Sequence, residues 1–199
     1  MGRRRSSRGR APHPLEDAFA ELARLREEGK LLHLGVSNFG CAELEIARAA
    51  GAIVSPQPPY DLLDRRIEAE LLPWCRGHDL GVRAYSAMAR GLLTGSVSLE
   101  RRFASSDHRR RNPLFAPEPR RRVRAARRFA RRHGVSLGNL TVARVLHQPG
   151  VTAALVGARD PRQARENLGA AGVALTPAEC RELAATFPEL PRAPSKAAS

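Results

Sequence analysis

Lysine is nearly missing from this 199-residue chain: of 34 basic residues, all but Lys30 and Lys196 are arginine. So lopsided a usage is compatible with phosphate binding but does not require a nucleic-acid surface, and the formal net charge of +14 therefore leaves the partner open. Cysteine is scarce as well. Cys41, Cys75 and Cys180 are odd in number, far apart, and at no zinc-ligand spacing from a histidine, which excludes a disulfide framework and a zinc site. They read as free thiols in a reducing compartment. No apolar run approaches the roughly 18 residues of a membrane span, and the basic opening Met1–Arg10 runs into Ala11-Pro-His-Pro14 instead of the apolar core of a signal peptide. The expectation is a cytoplasmic protein with no membrane partner. Two phosphate fingerprints are also absent: G-x-G-x-x-G between strand and helix, and G-x-x-x-x-G-K-[ST].

What the chain does contain is 42% hydrophobic residues, enough for one sizeable core. Its composition divides it into a disordered Arg-rich arm over 1–14, a folded unit over 15–187 and a Pro/Ala/Ser-rich disordered tail over 188–199. Within the folded unit the stretch Leu31-Leu-His-Leu-Gly-Val-Ser-Asn-Phe39 stands out, because an apolar run stops at two small polar residues. Ser37 and Asn38 are good helix caps, and they are equally good ligand contacts at the carboxyl end of a buried strand. The same ending recurs. Ala52–Gln57 stops at Gln57, Gly81–Tyr85 at Tyr85 and Ser86, and Thr152–Val156 at Gly157-Ala-Arg159. Helical patterns separate these runs: Leu15–Glu28 before the first, Cys41–Ala50, and Ile67–His78 with Leu71, Leu72, Trp74 and Cys75 on one side.

Between Ala87 and Pro119 lies a long connection, of a length that usually covers a ligand or is disordered. Arg120–His133 reads as a helix with a solvated arginine face, followed by a helix over Leu137–His147. A helix from Pro161 to about Ala170 is capped by Asp160, and one over Pro177–Phe187 by a Thr176/Glu179 capping box. The remaining histidines are scattered at no metal spacing and read as surface or strand-end residues. Strands alternating with helices mean parallel strands with crossovers, hence a doubly wound sheet or a (β/α) barrel.

Several segments, in order, resemble the aldo/keto reductases, the NADP(H)-dependent (β/α)8 barrels: Glu28–Phe39, Gln57-Pro-Pro-Tyr-Asp-Leu-Leu63, Ala84-Tyr-Ser-Ala-Met-Ala-Arg-Gly-Leu-Leu-Thr-Gly95, Gln148–Thr152, Gly157-Ala-Arg-Asp-Pro-Arg-Gln163 and Glu166-Asn167. The resemblance implies an α/β fold that is a partial TIM barrel, its four strands corresponding to the family's fifth to eighth. It implies that Ser37, Asn38 and Gln57 hold the nicotinamide carboxamide, that Tyr85 stacks on the ring, and that backbone around Ser86, Gly91, Leu92 and Gly95 approaches the pyrophosphate. Gly157, Ala158 and Arg159 would take the adenosine 2′-phosphate, with Gln163 and Asn167 nearer adenine, which favours NADP(H). Ala87 and Ser96 depart from the family's pattern where a proline and a basic residue are common. The family's catalytic Asp, Tyr, Lys and His have no counterpart here, so the resemblance implies a cofactor-binding half without catalytic residues, prone to self-association through open half-barrel edges. Two other readings stand beside it. One is a non-catalytic NADP(H)-binding subunit; the other is a helix-turn-helix DNA-binding protein, since Phe129–Ser136 followed by Leu140–Leu146 mimics that motif.

Overall fold

A computed structural model describes residues 14–50, 53–98 and 100–187. The basic arm short of Pro14, Gly51 at the end of the second helix and the 188–199 tail lie outside these residues. The chain runs α1 (Leu15–Glu27), β1 (Leu34–Ser37), α2 (Cys41–Ala50), β2 (Ile53–Gln57), α3 (Leu71–Gly77), β3 (Val82–Tyr85), α4 (Pro117–Arg132), α5 (Leu137–Leu146), β4 (Val151–Leu155), α6 (Pro161–Leu168) and α7 (Pro177–Thr186). This is the expected α/β alternation. β1 pairs parallel with β2, and β3 parallel with β4. A parallel bridge between Pro59 and Tyr85 joins the two pairs, the Tyr60 amide donating to the Tyr85 carbonyl and the Tyr85 amide to the Pro58 carbonyl, each at 3.0 Å.

Alternation of side chains decides which face the helices cover. Leu34, Val36, Ile53, Val82 and Ala84 are buried, whereas Gly35, Ser37 and Arg83 on the opposite face are exposed. Because both pairs and the bridge between them are parallel, the carboxyl ends of all four strands lie on one rim.

Two expected helices are broken up, the first for a local reason. The expected helix over Ile67–His78 is split into a 3-10 turn at Arg66–Glu68 and α3. Pro73 lacks an N–H and its ring crowds the carbonyl four residues back, so a regular helix cannot run through residue 69. The expected helix to Ala170 ends at Leu168 and tightens into a 3-10 turn over Gly169–Gly172.

The long connection, expected to cover a ligand or to be disordered, is folded against the core over much of its length. It carries 3-10 turns at Ala89–Thr94, His108–Arg111 and Pro113–Phe115, and its Leu92, Leu93, Leu114 and Phe115 are buried against Val123, Phe129, Leu140 and Leu183. Those apolar residues make it part of the core. The helix-turn-helix reading fails on burial: α5, which would have to enter a groove, buries Leu137, Leu140, Thr141, Val142, Arg144 and Val145 and offers bases no face. Among the described residues no helix is long and apolar enough to cross a membrane.

Both expected caps are present. Asp160 accepts from the Gln163 amide at 2.8 Å. Thr176 and Glu179 close a full capping box, with the Thr176 amide and hydroxyl both donating to the Glu179 carboxylate at 2.8 Å. Those bonds, the backbone one foremost, hold the Glu179 carboxyl below its usual 4.5. A depressed folded-state pKa adds stability that is present above 4.5 and lost as pH falls through the folded value. Thr176→Ala is therefore expected to lower the thermal midpoint most near neutral pH, with the gap to wild type narrowing in acid. A gap that stays constant from pH 7 to pH 3 would uncouple the box from the carboxylate.

Candidate cofactor site at the carboxyl ends of the strands

The rim gathers the polar strand ends into two adjoining groups. In the first, the Tyr85 hydroxyl donates to Asn38 Oδ1 at 2.8 Å, and the Asn38 amide and Ser37 hydroxyl both donate to the Gln57 carbonyl at 3.2 Å. Three strands thus contribute to one hydrogen-bonded cluster whose members are exposed or half-buried. The second group surrounds a cavity of 670 Å3 that opens between the ends of β3 and β4. Ser86, just past β3, and Gly91, in the 3-10 turn that follows, line one side, and Gly157 and Arg159 on the β4–α6 link with Gln163 and Asn167 of α6 line the other. Tyr85 lies opposite Leu155 in the β3–β4 register, so the two groups share the same rim.

Backbone strain concentrates there. Asn38 (φ 63°), Ser86 (62°), Ala89 (47°) and Arg90 (57°) occupy the left-handed region, and only Asp79 joins them among the described non-glycine residues. Asparagine tolerates that conformation, but alanine and arginine pay of order 1 kcal/mol or more each, a cost typical of binding and catalytic segments.

Electrostatics give the cavity a sign. Arg90, Arg109, Arg159 and Arg162 line it against the single carboxylate of Glu166. Such a wall favours an anion, and the glycines allow its close approach. At the start of α6 few amides remain free: Pro161 has none, the Gln163 amide is taken by Asp160, and the Arg159 amide donates to Gln163 Oε1 at 3.1 Å. The guanidiniums are left as the principal donors. Asn139 Oδ1, also on the wall, is buried without a hydrogen-bond partner among the described residues.

The aldo/keto reductase family model matches residues 8–186. This chain belongs to the aldo/keto reductase family. Family members use nicotinamide cofactors in oxidoreductions. Among curated relatives, the aldo-keto reductase YhdN of Bacillus subtilis is 34% identical over 155 residues, 75% of this chain and 47% of that protein. An NADH-specific methylglyoxal reductase of Escherichia coli is 30% identical over 178 residues, 86% of this chain and 54% of that one. The chain thus spans about half the length of these curated relatives. Among solved structures, the glycerol dehydrogenase AKR11B4 of Gluconobacter oxydans superposes with a TM-score of 0.83 at 32% identity, covering 96% of this chain and 60% of that one. The thermostable aldo-keto reductase Tm1743 gives 0.68 at 26% identity over 87% and 55%.

For this aldo/keto reductase chain, the residues picked out by sequence fall into three sets. Ser37, Asn38, Gln57 and Tyr85 form the hydrogen-bonded cluster, and Ser86, Gly91, Gly157, Arg159, Gln163 and Asn167 line the cavity. Leu92, Gly95 and Ala158 do neither. Leu92 is fully buried, Gly95 lines a neighbouring hollow where its carbonyl accepts from Arg127, and Ala158 is exposed on the strand-to-helix link. Arg90, Arg109, Asn139 and Arg162 join the wall without having been singled out as contacts. Arg90 and Arg162 lie within the family-like segments Ala84–Gly95 and Gly157–Gln163 and were visible there, whereas Arg109 reaches the wall through the fold of the long connection. Burial raises each of the three thiols, Cys75 to about 11, which disfavours the thiolate form.

Proposed function

We propose that this chain forms the last four βα units of a (β/α)8 barrel and supplies the NADP(H)-binding half of an aldo/keto reductase, a carbonyl–alcohol oxidoreductase. The observation that carries the reading is the convergence of the β3 and β4 ends on one arginine-lined cavity beside the Asn38–Tyr85 cluster. The nicotinamide carboxamide would meet Ser37, Asn38 and Gln57, the ring would lie on Tyr85, and the phosphates would face Arg159 and its neighbours. The excess of guanidiniums favours the extra phosphate of NADP(H) over NAD(H), although one relative is named NADH-specific.

The same chain is proposed to hold cofactor without reducing a carbonyl unaided. A tyrosine proton donor needs a phenol that ionises readily, whereas Tyr60 is buried and its phenol is pushed well up, by burial first and by Glu68 against the pull of Arg144. Tyr85 is engaged with Asn38. The outer edges of β1 and β4 pair with no other strand among the described residues, so edge pairing between copies or with a second half-barrel is the favoured assembly. Calorimetric titration is expected to show saturable NADPH binding, weaker NADH binding, and no aldehyde reduction at an enzymatic rate, with sedimentation velocity reporting the assembly. Absence of heat with either cofactor at millimolar concentration removes the binding role; brisk turnover removes the claim of incompetence.

A further inference from the structure

The arginines of the long connection do more than cover a surface. Arg101, Arg102 and Arg110 converge with Arg120 around a second hollow, of 380 Å3, which Phe103 completes. It is separate from the cofactor cavity: the two share no lining residue. Phe103 is fixed by its own packing. Its ring meets Phe115 edge-on at 5.3 Å, and the guanidiniums of Arg109 and Arg120 lie 4.7 and 5.3 Å from its centroid. Arg120 is aimed by the carbonyls of Ser98 and Arg101, at 3.2 and 2.9 Å.

Two nearby carboxylates are engaged elsewhere: Asp107 is forked by Arg109 at 2.6 to 3.0 Å and Glu118 pairs with Arg122. Glu100 lines the adjoining hollow with Arg120, Arg124 and Arg127. Among the described residues no carboxylate pairs with Arg101, Arg102 or Arg110. Four like charges around one concavity raise one another's energy, and a compact anion with several negative charges reverses that repulsion while using the planar donors of the guanidinium. The volume lies at the small end of ligand pockets, the size of a short phosphate chain and too small for a whole dinucleotide.

We propose that this hollow binds a small polyphosphate anion, independently of the cofactor cavity. Calorimetric titration of the full chain with sodium tripolyphosphate tests it. Wild type shows saturable binding that orthophosphate displaces only at much higher concentration. Arg102→Ala with Arg110→Ala, both exposed and so harmless to folding, weakens binding by about tenfold or more. Arg121→Ala with Arg131→Ala removes the same charge from the exposed face of α4 outside the hollow and changes affinity by no more than about twofold, the scale of screened long-range effects. Arg159→Ala with Arg162→Ala removes any anion held at the cofactor wall and leaves the saturable site of the hollow in place. The proposal is overturned if the α4 control loses as much as the hollow variant, which is mere net charge, if binding disappears with the cofactor-wall arginines, or if wild type shows no saturable site.

Discussion

Arg144→Ala is expected to destabilise the chain by about 3–5 kcal/mol, a large share of the roughly 5–15 kcal/mol that holds an ordinary domain folded. The Arg144 side chain is only 5% exposed, and it donates to the Tyr60 hydroxyl at 2.7 Å, to Glu68 at 2.9 Å and to the Cys180 carbonyl at 3.3 Å. Tyr60 in turn donates to Glu68, so one guanidinium joins α5, the loop after β2 and the start of α7. Burial works against the Arg144 charge, and the Tyr60 and Glu68 oxygens outweigh it, leaving the arginine more firmly protonated than usual. Removing it strands a carboxylate and a phenol in a site built for a cation. Replacing both ends, Arg144→Met with Glu68→Leu, is expected to recover part of the loss, because the desolvation penalty disappears along with the attraction while the buried Tyr60 hydroxyl loses both its partners. Equilibrium urea denaturation of the two singles and the double gives the coupling. A single Arg144 variant within about 1 kcal/mol of wild type would falsify the role given to this network. The raised Tyr60 phenol adds a pH signature: its contribution is complete below 10.0 and declines above it, where the unfolded phenol loses its proton and the buried one keeps it.

Arg159→Ala is expected to weaken NADPH binding by roughly 10- to 100-fold while leaving NADH nearly untouched, the worth of one charge-assisted contact to a phosphate of about 1.5–3 kcal/mol. The geometry behind this is specific. Arg159 has no carboxylate partner among the described residues and stands on the cavity wall where the α6 amides are already committed to Asp160 and Gln163. Arg162, on the same wall, lies 3.9 Å from Glu166 and is partly neutralised by it, so it should compensate only weakly. Paired titrations of wild type and variant with both cofactors measure the preference. Equal losses for NADPH and NADH would place Arg159 on the shared pyrophosphate and not on the extra phosphate.

Much of the fold was legible because its signals are local. The strands at Leu34–Ser37 and Val82–Tyr85, the cap at Asp160 and the box at Thr176–Glu179 depend on residues within a few positions of one another. Where the pattern misled, a single competing residue or a tertiary contact was responsible. Pro73 cut the expected helix short, and the connection after Ala87, read as covering a ligand or disordered, packs Leu92, Leu93, Leu114 and Phe115 into the core while Arg90, Gly91 and Arg109 line the cavity. The helix-turn-helix likeness of α4 and α5 vanished for the same reason. Hydrophobicity patterns place residues on a face but do not say what covers it.

From its residues alone this molecule was bound to be a βα alternation with polar groups at the carboxyl end of each strand, because period, caps and turns are decided between near neighbours. Only folding in three dimensions decided that Asn38 meets Tyr85 across 47 positions, that Arg144 meets Tyr60 across 84, and that arginines far apart in the chain ring two separate hollows. Those pairings rest on closing long loops around a shared core, and the closure draws its free energy from burial spread over the whole unit, which no short window of sequence contains.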